Sequence, residues 1–370
     1  MTIAFVLSAS ADRTAGQTQP EKSWRLQDRE FGGISGLAVS PDGKWVGTAG
    51  IGVELWNAST GKFIRWFRDH RKGAFDMKPI DVGVVGAVVF SPDSKSLISA
   101  GSDGTVRVND TASGRTKQVL KTGQARVVGY PCPLYSVAVS RDGSLIAAGG
   151  YHGGVEIWEA KTGKLKHSFG GVKGKKDDRP APKPIPAAKL VRPAVKWNVE
   201  LNLTLVGRAA PPDNPVWSLD FSADGKRIAA GYAYEVRVWD LTARKAHRKL
   251  DAGSPAIFAP GERLITATKD SVVIWNTAAW KRERVLKGML SPLALVRRKS
   301  KTLLAVSTSK PSVELVEIPT GKIVASHRLK PSAHPISAIS ASTEGRIFAA
   351  ASDGDRGARI FELGSASPPH

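Results

Sequence analysis

The sequence has a single cysteine, Cys132, among its 370 residues. A lone cysteine excludes an intrachain disulfide, and it excludes a zinc site built from cysteine ligands. No stretch approaches the roughly 20 apolar residues that a membrane-spanning helix needs, so we expect no membrane insertion. The hydrophobic content of 41% is nevertheless sufficient for a core, which short segments must form together.

Motifs for catalysis and cofactor binding are also missing. The seven histidines are isolated, without the spacing of a metal-binding pair. The sequence contains neither a phosphate-binding Gly-x-x-x-x-Gly-Lys-Ser/Thr motif nor a Gly-x-Ser-x-Gly motif. The glycine-rich run at 149–154 lies between predicted strands, where it forms a turn rather than a dinucleotide-binding loop. We therefore expect a protein that is not an enzyme, with no catalytic residue, no cofactor and no metal site.

What the sequence does contain is a repeated pattern of short strands. An apolar alternation leads into a turn resembling Ser-Pro-Asp-Gly-Lys, and an apolar run then leads into a strand resembling Val-x-Val-Trp-Asp. The fullest copies occupy 34–56, 85–109, 134–158 and 216–239. Weaker copies place Trp275, Val316 and Phe361 at the tryptophan position. A unit of this kind cannot bury its own apolar face, so neighbouring units must cover it.

Each unit is predicted to be a four-stranded antiparallel sheet. Period-2 alternation, as in 216–221, indicates half-buried strands. Asp224 and Gly225 are the residue types of a tight hairpin turn. A second turn, such as that at 162–164, precedes a fourth strand in most units. Seven such units predict an all-β radial assembly of small sheets.

These motifs resemble the WD-repeat β-propeller family over residues 23–364. Trp239 and Asp240 form the one literal Trp-Asp pair. The structural repeat positions are Trp56, Asp103, Trp158, Trp239, Asp240 and Trp275. The resemblance implies a seven-bladed β-propeller of four-stranded antiparallel blades. It also implies a non-catalytic scaffold that mediates protein–protein or protein–peptide interaction.

One feature of the family is missing from the units. The family's Gly-His pair stands about ten residues before the Ser-Pro-Asp-Gly turn. The residues at that distance here are Glu30, Asp81, Tyr130 and Pro212. We therefore expect the family's buried histidine hydrogen-bond network to be absent.

The two ends of the sequence suggest how the ring closes. No strand pattern follows Phe361, whereas the segment 23–29 alternates correctly and belongs to no unit. The N-terminal strand is therefore predicted to be the outer strand of the last blade, which would close the ring. The chain then divides into three parts. Residues 1–22 are a disordered tail or the remnant of a signal sequence, residues 23–364 form a single propeller, and residues 365–370 are a disordered C-terminus.

The N-terminal tail leaves two localisations open. Apolar residues at 4–7 followed by small residues at 9–11 resemble the end of a signal sequence, although a basic start is missing. The expectation is a cytoplasmic protein as the sequence stands. If the tail is a truncated signal sequence, the protein is exported to the periplasm.

Basic residues outnumber acidic ones by 54 to 33, which gives a net charge of +21. Such an excess favours anionic partners. Much of it falls on predicted outer strands, where like charge opposes edge-to-edge pairing. No recognition helix, zinc finger or aromatic RNA-binding motif accompanies it. Nucleic-acid binding is therefore the less favoured alternative and would be nonspecific.

Long connections gather on one face of the predicted ring, at 69–83, 122–133 and 171–215. The third is basic and rich in proline, and a connection of that length is either functional or a tolerated, solvated insertion. As a functional segment it would dock an acidic protein or peptide. Its candidate residues are Lys173, Lys175, Lys176 and Arg179.

Turn aromatics mark a second candidate region on the same face. Tyr151 and His152 in the third blade, and Tyr232 and Tyr234 in the fourth, are expected to lie close together around the central opening, and Asp270 is added to this face. Tyrosine is a favoured interface anchor, and loop contacts alone are the alternative. The expected partner is an unidentified protein or peptide bound by a monomeric propeller. An enzyme or small-molecule binder that uses the central opening is the competing function.

Overall fold

The computed structural model describes residues 22–27, 34–67, 70, 84–124, 132–171, 214–298, 301–309, 312–328, 336–342, 347–352 and 357–362. All regular secondary structure in these ranges is β-strand. The predicted tail 1–22 lies outside the described residues except for Lys22, with which β1 begins. Most of the proline-rich insertion (172–213) and the predicted disordered C-terminus also lie outside them.

The first three blades each contain four consecutive strands. Blade 1 is formed by β2 (Gly36–Val39), β3 (Trp45–Gly50), β4 (Gly52–Asn57) and β5 (Phe63–Phe67). Blade 2 is formed by β6 (Val85–Phe90), β7 (Ser96–Gly101), β8 (Thr105–Asp110) and β9 (Thr116–Lys121). Blade 3 is formed by β10 (Leu134–Val139), β11 (Leu145–Gly150), β12 (Val155–Glu159) and β13 (Leu165–Phe169).

Blades 4 to 6 repeat this order. Blade 4 is formed by β14 (Ser218–Phe221), β15 (Arg227–Gly231), β16 (Val236–Asp240) and β17 (Lys245–Leu250). Blade 5 is formed by β18 (Gly253–Ala259), β19 (Arg263–Ala267), β20 (Ser271–Asn276) and β21 (Lys281–Lys287). Blade 6 is formed by β22 (Met289–Arg298), β23 (Lys301–Thr308), β24 (Ser312–Glu317) and β25 (Ile323–Arg328).

Blade 7 takes its strands from both ends of the sequence. It contains β26 (Ile336–Ala341), β27 (Ile347–Ser352), β28 (Gly357–Glu362) and, paired antiparallel with β28, the strand β1 (Lys22–Gln27). The first strand of each blade packs against the first strand of the next, and β26 packs against β2. The fold is therefore a closed seven-bladed β-propeller, as the repeat predicts.

The described core contains seven large apolar clusters, each shared by two neighbouring blades, and one small cluster of Cys132 and Tyr151 in blade 3. Successive strand residues point to opposite faces and therefore join different clusters. In β19, Leu264 packs in the cluster shared with blade 4, and Ile265 packs in the cluster shared with blade 6. Both faces of each sheet are thus buried, which explains why a second strand such as β11 has no charged residue and few polar ones.

The structural repeat positions serve this arrangement. The indole N–H of Trp56 donates to Thr48, and that of Trp275 donates to Thr266. Trp158 and Trp239 are buried in the clusters shared with the preceding blade. Asp240 instead accepts two backbone N–H groups, each at 2.8 Å, and so fixes the turn before β17.

The predicted Asp-Gly hairpin turns are confirmed, and their hydrogen bonds explain the recurring serine. In blade 4 the hydroxyl of Ser222 donates to Asp224 at 2.6 Å and accepts from Arg227 N at 2.9 Å. Gly225 adopts a φ of 67°, which favours glycine. The strand after Pro215 is shorter than predicted, since β14 begins at Ser218.

Hydrogen bonds also join the innermost strands of neighbouring blades. Phe258 N donates to Oδ2 of Asp220 at 2.7 Å between blades 4 and 5. In the same way Val39 N donates to the hydroxyl of Ser340 at 3.0 Å between blades 7 and 1. Burial raises the pKa of Asp220 to about 7, although the backbone N–H groups of Phe258 and Phe221 act in the opposite direction.

Truncation tests the contribution of β1. Deleting residues 1–30 removes β1 and with it Leu26, which is buried in the cluster between blades 7 and 1. Loss of a buried leucine and of a whole strand is expected to lower the melting temperature by at least about 5 °C. Deleting residues 1–20 leaves β1 intact and serves as the control. Equal melting temperatures for the two truncations would show that β1 does not close the ring.

Asp220→Asn tests the seam between blades 4 and 5. The variant keeps an oxygen that can accept from Phe258 N, and it removes the titrating group. The pKa of Asp220 lies above its ordinary 3.8, so the folded state holds the proton more tightly and this group's stabilising contribution falls as pH rises between the two values. The melting temperature of the variant minus that of the wild type should therefore be larger near pH 8 than near pH 5. The same difference at both pH values would contradict this assignment.

Candidate protein-interaction face

The connection that leaves the fourth strand of one blade contacts the next blade near the turn between its second and third strands. Thr122 and Gly123, which follow β9, donate to the carboxylate of Glu156 in β12 at 2.7 and 3.0 Å. Gln124 lies so close to Gly154 that a Cβ there would come within 2.5 Å of its side chain. We call this side of the ring the loop face, defined by residues 122–124, 151–154, 170–171, 232–235 and 268–270.

The sequence-predicted candidates in the long insertion lie outside the described residues. These are Lys173, Lys175, Lys176 and Arg179. The described ends of the insertion, Gly171 and Asn214, both lie on the loop face. Asn214 accepts from Ala233 N at 3.0 Å and thereby holds the turn of blade 4. The insertion therefore leaves from and returns to the side on which the sequence analysis places it, and its role in docking stays a prediction.

Blade 2 contains a buried histidine network, so the expectation that this network is absent is wrong for that blade. The imidazole of His70 contacts Asp103 Oδ1 through Nδ1 and Ser99 Oγ through Nε2, each at 2.9 Å. Thr105 Oγ1 donates to the same carboxylate at 2.8 Å. His70 stands 21 residues before the turn residue Ser91, because a long connection separates it from β6. A spacing of ten residues therefore does not identify it.

The network sets the protonation of a buried carboxyl. Burial acts to raise the pKa of Asp103, but hydrogen bonds from His70 and Thr105 and the charge of His70 outweigh it. The pKa therefore lies below its ordinary value. Arg107 adds an ion pair to Asp103 at 3.5 Å. Asp103 is accordingly a structural residue that ties the turn of blade 2 to the connection from blade 1.

Three of the predicted turn candidates are buried. Tyr151 and Tyr232 are 2% and 0% exposed, and His152 is also buried. The hydroxyl of Tyr232 donates to the carbonyl of Gly153 at 2.8 Å, so blades 3 and 4 do bring these residues together. They form the seam between the two blades and leave little surface for a partner. The expectation that they act as exposed anchors does not fit this placement.

Tyr234 differs from the other candidates because 85% of it is exposed. The next residue, Glu235, accepts from Arg237 Nε at 2.6 Å and forms a second ion pair with Lys249. The guanidinium of Arg237 lies 4.7 Å from the ring centre of Tyr232. The turn therefore projects one aromatic ring from a base held by ion pairs. Asp270 is exposed in the neighbouring turn of blade 5.

The described residues offer little for catalysis. Within them, no group of three or more His, Cys, Asp or Glu side chains is arranged to hold a metal ion. Burial raises the pKa of the Cys132 thiol to about 12, so this cysteine is not a nucleophile near neutral pH. Trp217 stacks on Tyr135 of the preceding blade with ring centres 5.1 Å apart, so this tryptophan packs between blades.

Comparison with known proteins identifies the repeats. The family model described as WD domain, G-beta repeat matches residues 81–110, 123–159 and 203–240. A periodic tryptophan protein 2 homologue of Dictyostelium discoideum is 30% identical over 140 residues, which cover 36% of this chain and 13% of that protein. Pre-mRNA-splicing factor cwf17 of Schizosaccharomyces pombe is 30% identical over 149 residues, 40% of this chain and 37% of that protein.

The matched segments thus span well under half of either relative. In the part of the chain that the structure describes, no helix is long and apolar enough to cross a membrane.

His70→Ala tests the structural role of the histidine network. The substitution leaves Asp103 and Ser99 buried without the imidazole, so we expect a loss of about 1–3 kcal/mol in the free energy of unfolding. His167→Ala is the matched control, because His167 lies on the outer strand β13 and is only half-buried. Urea unfolding of both variants measures the difference. Equal destabilisation of the two would contradict the role assigned to His70.

Proposed function

We propose that this chain, which belongs to the WD-repeat β-propeller family, is a non-catalytic scaffold that binds another protein or a peptide on its loop face. The observation that carries the proposal is Tyr234. It is an almost fully exposed tyrosine on a fold that buries nearly every other aromatic turn residue among those described.

The chemistry of a tyrosine anchor supports a protein partner. Tyrosine contributes apolar area and a hydroxyl at a low cost in side-chain entropy, and such residues dominate binding energy at protein interfaces. The ion pairs of Glu235 with Arg237 and Lys249 hold the base of the turn, so little ordering is needed when a partner binds. Most of the free energy gained by burying the apolar area of Tyr234 would therefore contribute to the affinity for the partner.

The names of the two relatives are consistent with a non-catalytic function. One of them is named a pre-mRNA-splicing factor and the other a periodic tryptophan protein, and neither name describes an enzyme. Because the matches cover only a part of each relative, the partner of this chain is not inferred from them. The basic residues of the insertion, including Lys173 and Lys175, favour a partner that carries acidic groups.

Tyr234→Ala tests the proposal. Affinity capture with the full chain should return a protein in stoichiometric amount. The variant should recover about tenfold less of it, as expected when a central interface anchor is truncated. Its melting temperature should stay unchanged, because the side chain is exposed. Leu165→Ala on the outer strand β13 removes another exposed apolar group, away from the loop face, and is the control.

Two results would overturn the proposal. One is full recovery of the partner by the Tyr234 variant. The other is a reproducible turnover, or a thermal shift with a metabolite, which would favour an enzyme or small-molecule binder that uses the central opening.

A further inference from the structure

Basic residues are concentrated on two neighbouring outer strands. The strands β17 and β21 together contain seven lysines and arginines, as many as the other five outer strands combined. We call the exposed group here the basic sector, which consists of Arg244, Arg248, Lys249, Lys281, Arg282, Arg284 and Lys287. Protection against edge pairing does not explain this distribution, because it would be needed equally at every blade.

Outer strands elsewhere confirm that charge is not required at an edge. Ile64, Leu165 and Ile323 are exposed on β5, β13 and β25, which each carry a single basic residue. The ring therefore tolerates apolar outer strands on blades 1, 3 and 6. The charge on blades 4 and 5 calls for a separate explanation.

Acidic residues do little to neutralise the sector. The strand β17 has none, and β21 has only Glu283. Arg263 binds Glu283 through two hydrogen bonds of 2.7 and 2.8 Å. Among the residues of the basic sector, Lys249 is the one that forms an ion pair with a described acidic residue, Glu235. The positive field also reaches blade 3, where burial and then the charges of Arg244 and Lys166 lower the pKa of His167.

The backbone gives a second, independent indication. The turns before the outer strands of blades 1, 2, 3 and 6 place a glycine at positive φ. These glycines are Gly61, Gly114, Gly163 and Gly321. In blades 4 and 5 the same position holds Arg244 and Trp280, with φ of 53° and 54°. A non-glycine residue in this conformation costs on the order of 1 kcal/mol, and such strain tends to occur at functional sites.

We propose that β21 binds an extended acidic segment of a partner protein, which adds to blade 5 as a fifth strand and places its carboxylates against the basic sector. This strand is the longest described outer strand, with seven residues. Among the described strands it pairs only with β20, so no described strand occupies the main-chain hydrogen-bonding groups of its other edge.

Side chains along β21 suit such a segment. A register shift near Trp275 confines the irregular part to the start of β21 and leaves 284–287 regular. In this regular part Val285, which is 44% exposed, and Lys287 lie on one face of the strand, whereas Arg284 and the buried Leu286 lie on the other. The stem of Arg284 lies over Gly321 of blade 6, where a Cβ would come within 3.1 Å of its Cδ. Each face of β21 therefore offers one basic and one apolar residue, so the acidic face of an alternating acidic and β-branched segment meets Arg284 or Lys287 in either orientation.

Nucleic acid fits this surface less well. Sequence-tolerant binding of single strands relies on aromatic platforms that stack on bases. The aromatic rings of the sector are Trp275, which is buried beneath Arg282, and Trp280, which packs against the core cluster of blades 4 and 5. A strand edge also offers main-chain groups that a peptide can pair with and a phosphate backbone cannot pair with in register.

The test uses the full chain and a labelled peptide of about ten residues that alternates Glu with Thr, a length suited to strand addition. Fluorescence anisotropy at about 0.1 M salt limits the reach of distant charges to about 10 Å. The variant Arg248→Glu/Arg284→Glu/Lys287→Glu should bind the peptide at least about tenfold more weakly than the wild type. A matched control, Lys62→Glu/Arg115→Glu/Lys121→Glu, has the same net charge and should lose less than about twofold, because its changes lie on blades 1 and 2.

Two further probes separate the alternatives. A peptide with Pro in place of every Thr has the same charge but cannot pair as a strand, and it should bind at least about tenfold more weakly. A ten-nucleotide uridine RNA should bind more weakly than the Glu-Thr peptide. Tyr234→Ala should leave peptide affinity unchanged, which separates this surface from the loop face.

The proposal is overturned by any of four results. These are no binding of the peptide, equal weakening by the two triple variants, equal affinity for the proline peptide, or tighter binding of the RNA with dependence on the basic sector. Circular dichroism and melting temperature verify folding. If the glutamate variant does not fold, Arg248→Gln/Arg284→Gln/Lys287→Gln replaces it, with an expected weakening of at least about fivefold.

Discussion

Burial of both faces of every sheet is the constraint on which this structure depends. Adjacent residues such as Val272 and Val273 enter different apolar clusters, one shared with blade 6 and one with blade 4. A single blade therefore exposes two apolar faces in isolation and cannot be stable alone. The same argument applies to an open row of blades, whose ends would each expose one face. Contact between β26 and β2 removes those two ends, so the stability of each blade depends on the circle being complete.

Local signals made most of the fold predictable. The Ser-x-Asp-Gly turn sets its own geometry through hydrogen bonds within five residues, as Ser222 and Asp224 show. The tryptophan position sits in the third strand of every blade in which it was identified, from Trp56 to Phe361. Both features recur at a fixed offset from their strands, and a repeat analysis depends only on such offsets. The number of blades and their strand order follow from them.

Features that depend on contacts between blades were not predictable in the same way. His70 reaches Asp103 across a connection whose length differs from unit to unit, so no fixed spacing identifies it. Tyr232 and Tyr234 are two residues apart and look equivalent in sequence, yet one is buried against Gly153 of the preceding blade and the other is exposed. The difference arises from the neighbouring blade, which a pattern within one unit does not contain.

Comparison among the blades separates residues that maintain the ring from those that do not. Four turns before outer strands use glycine at the same positive φ, which shows what the backbone requires there. Arg244 and Trp280 meet the same requirement at a cost in strain. Both directly precede the most basic outer strands of the ring. Divergence of one blade from its own neighbours is thus informative even for a single sequence.

The position of the two proposed surfaces has a consequence for binding. Tyr234 lies in blade 4, in the turn before β16. The basic sector lies along β17 of the same blade and β21 of the next blade. The ion pair between Lys249 on β17 and Glu235 connects the two regions within one sheet. A partner with an acidic extended segment next to a loop-binding domain could engage both without deforming the ring. The second contact would then form at the high effective concentration that the first contact creates, and two weak interactions would combine into a stable complex.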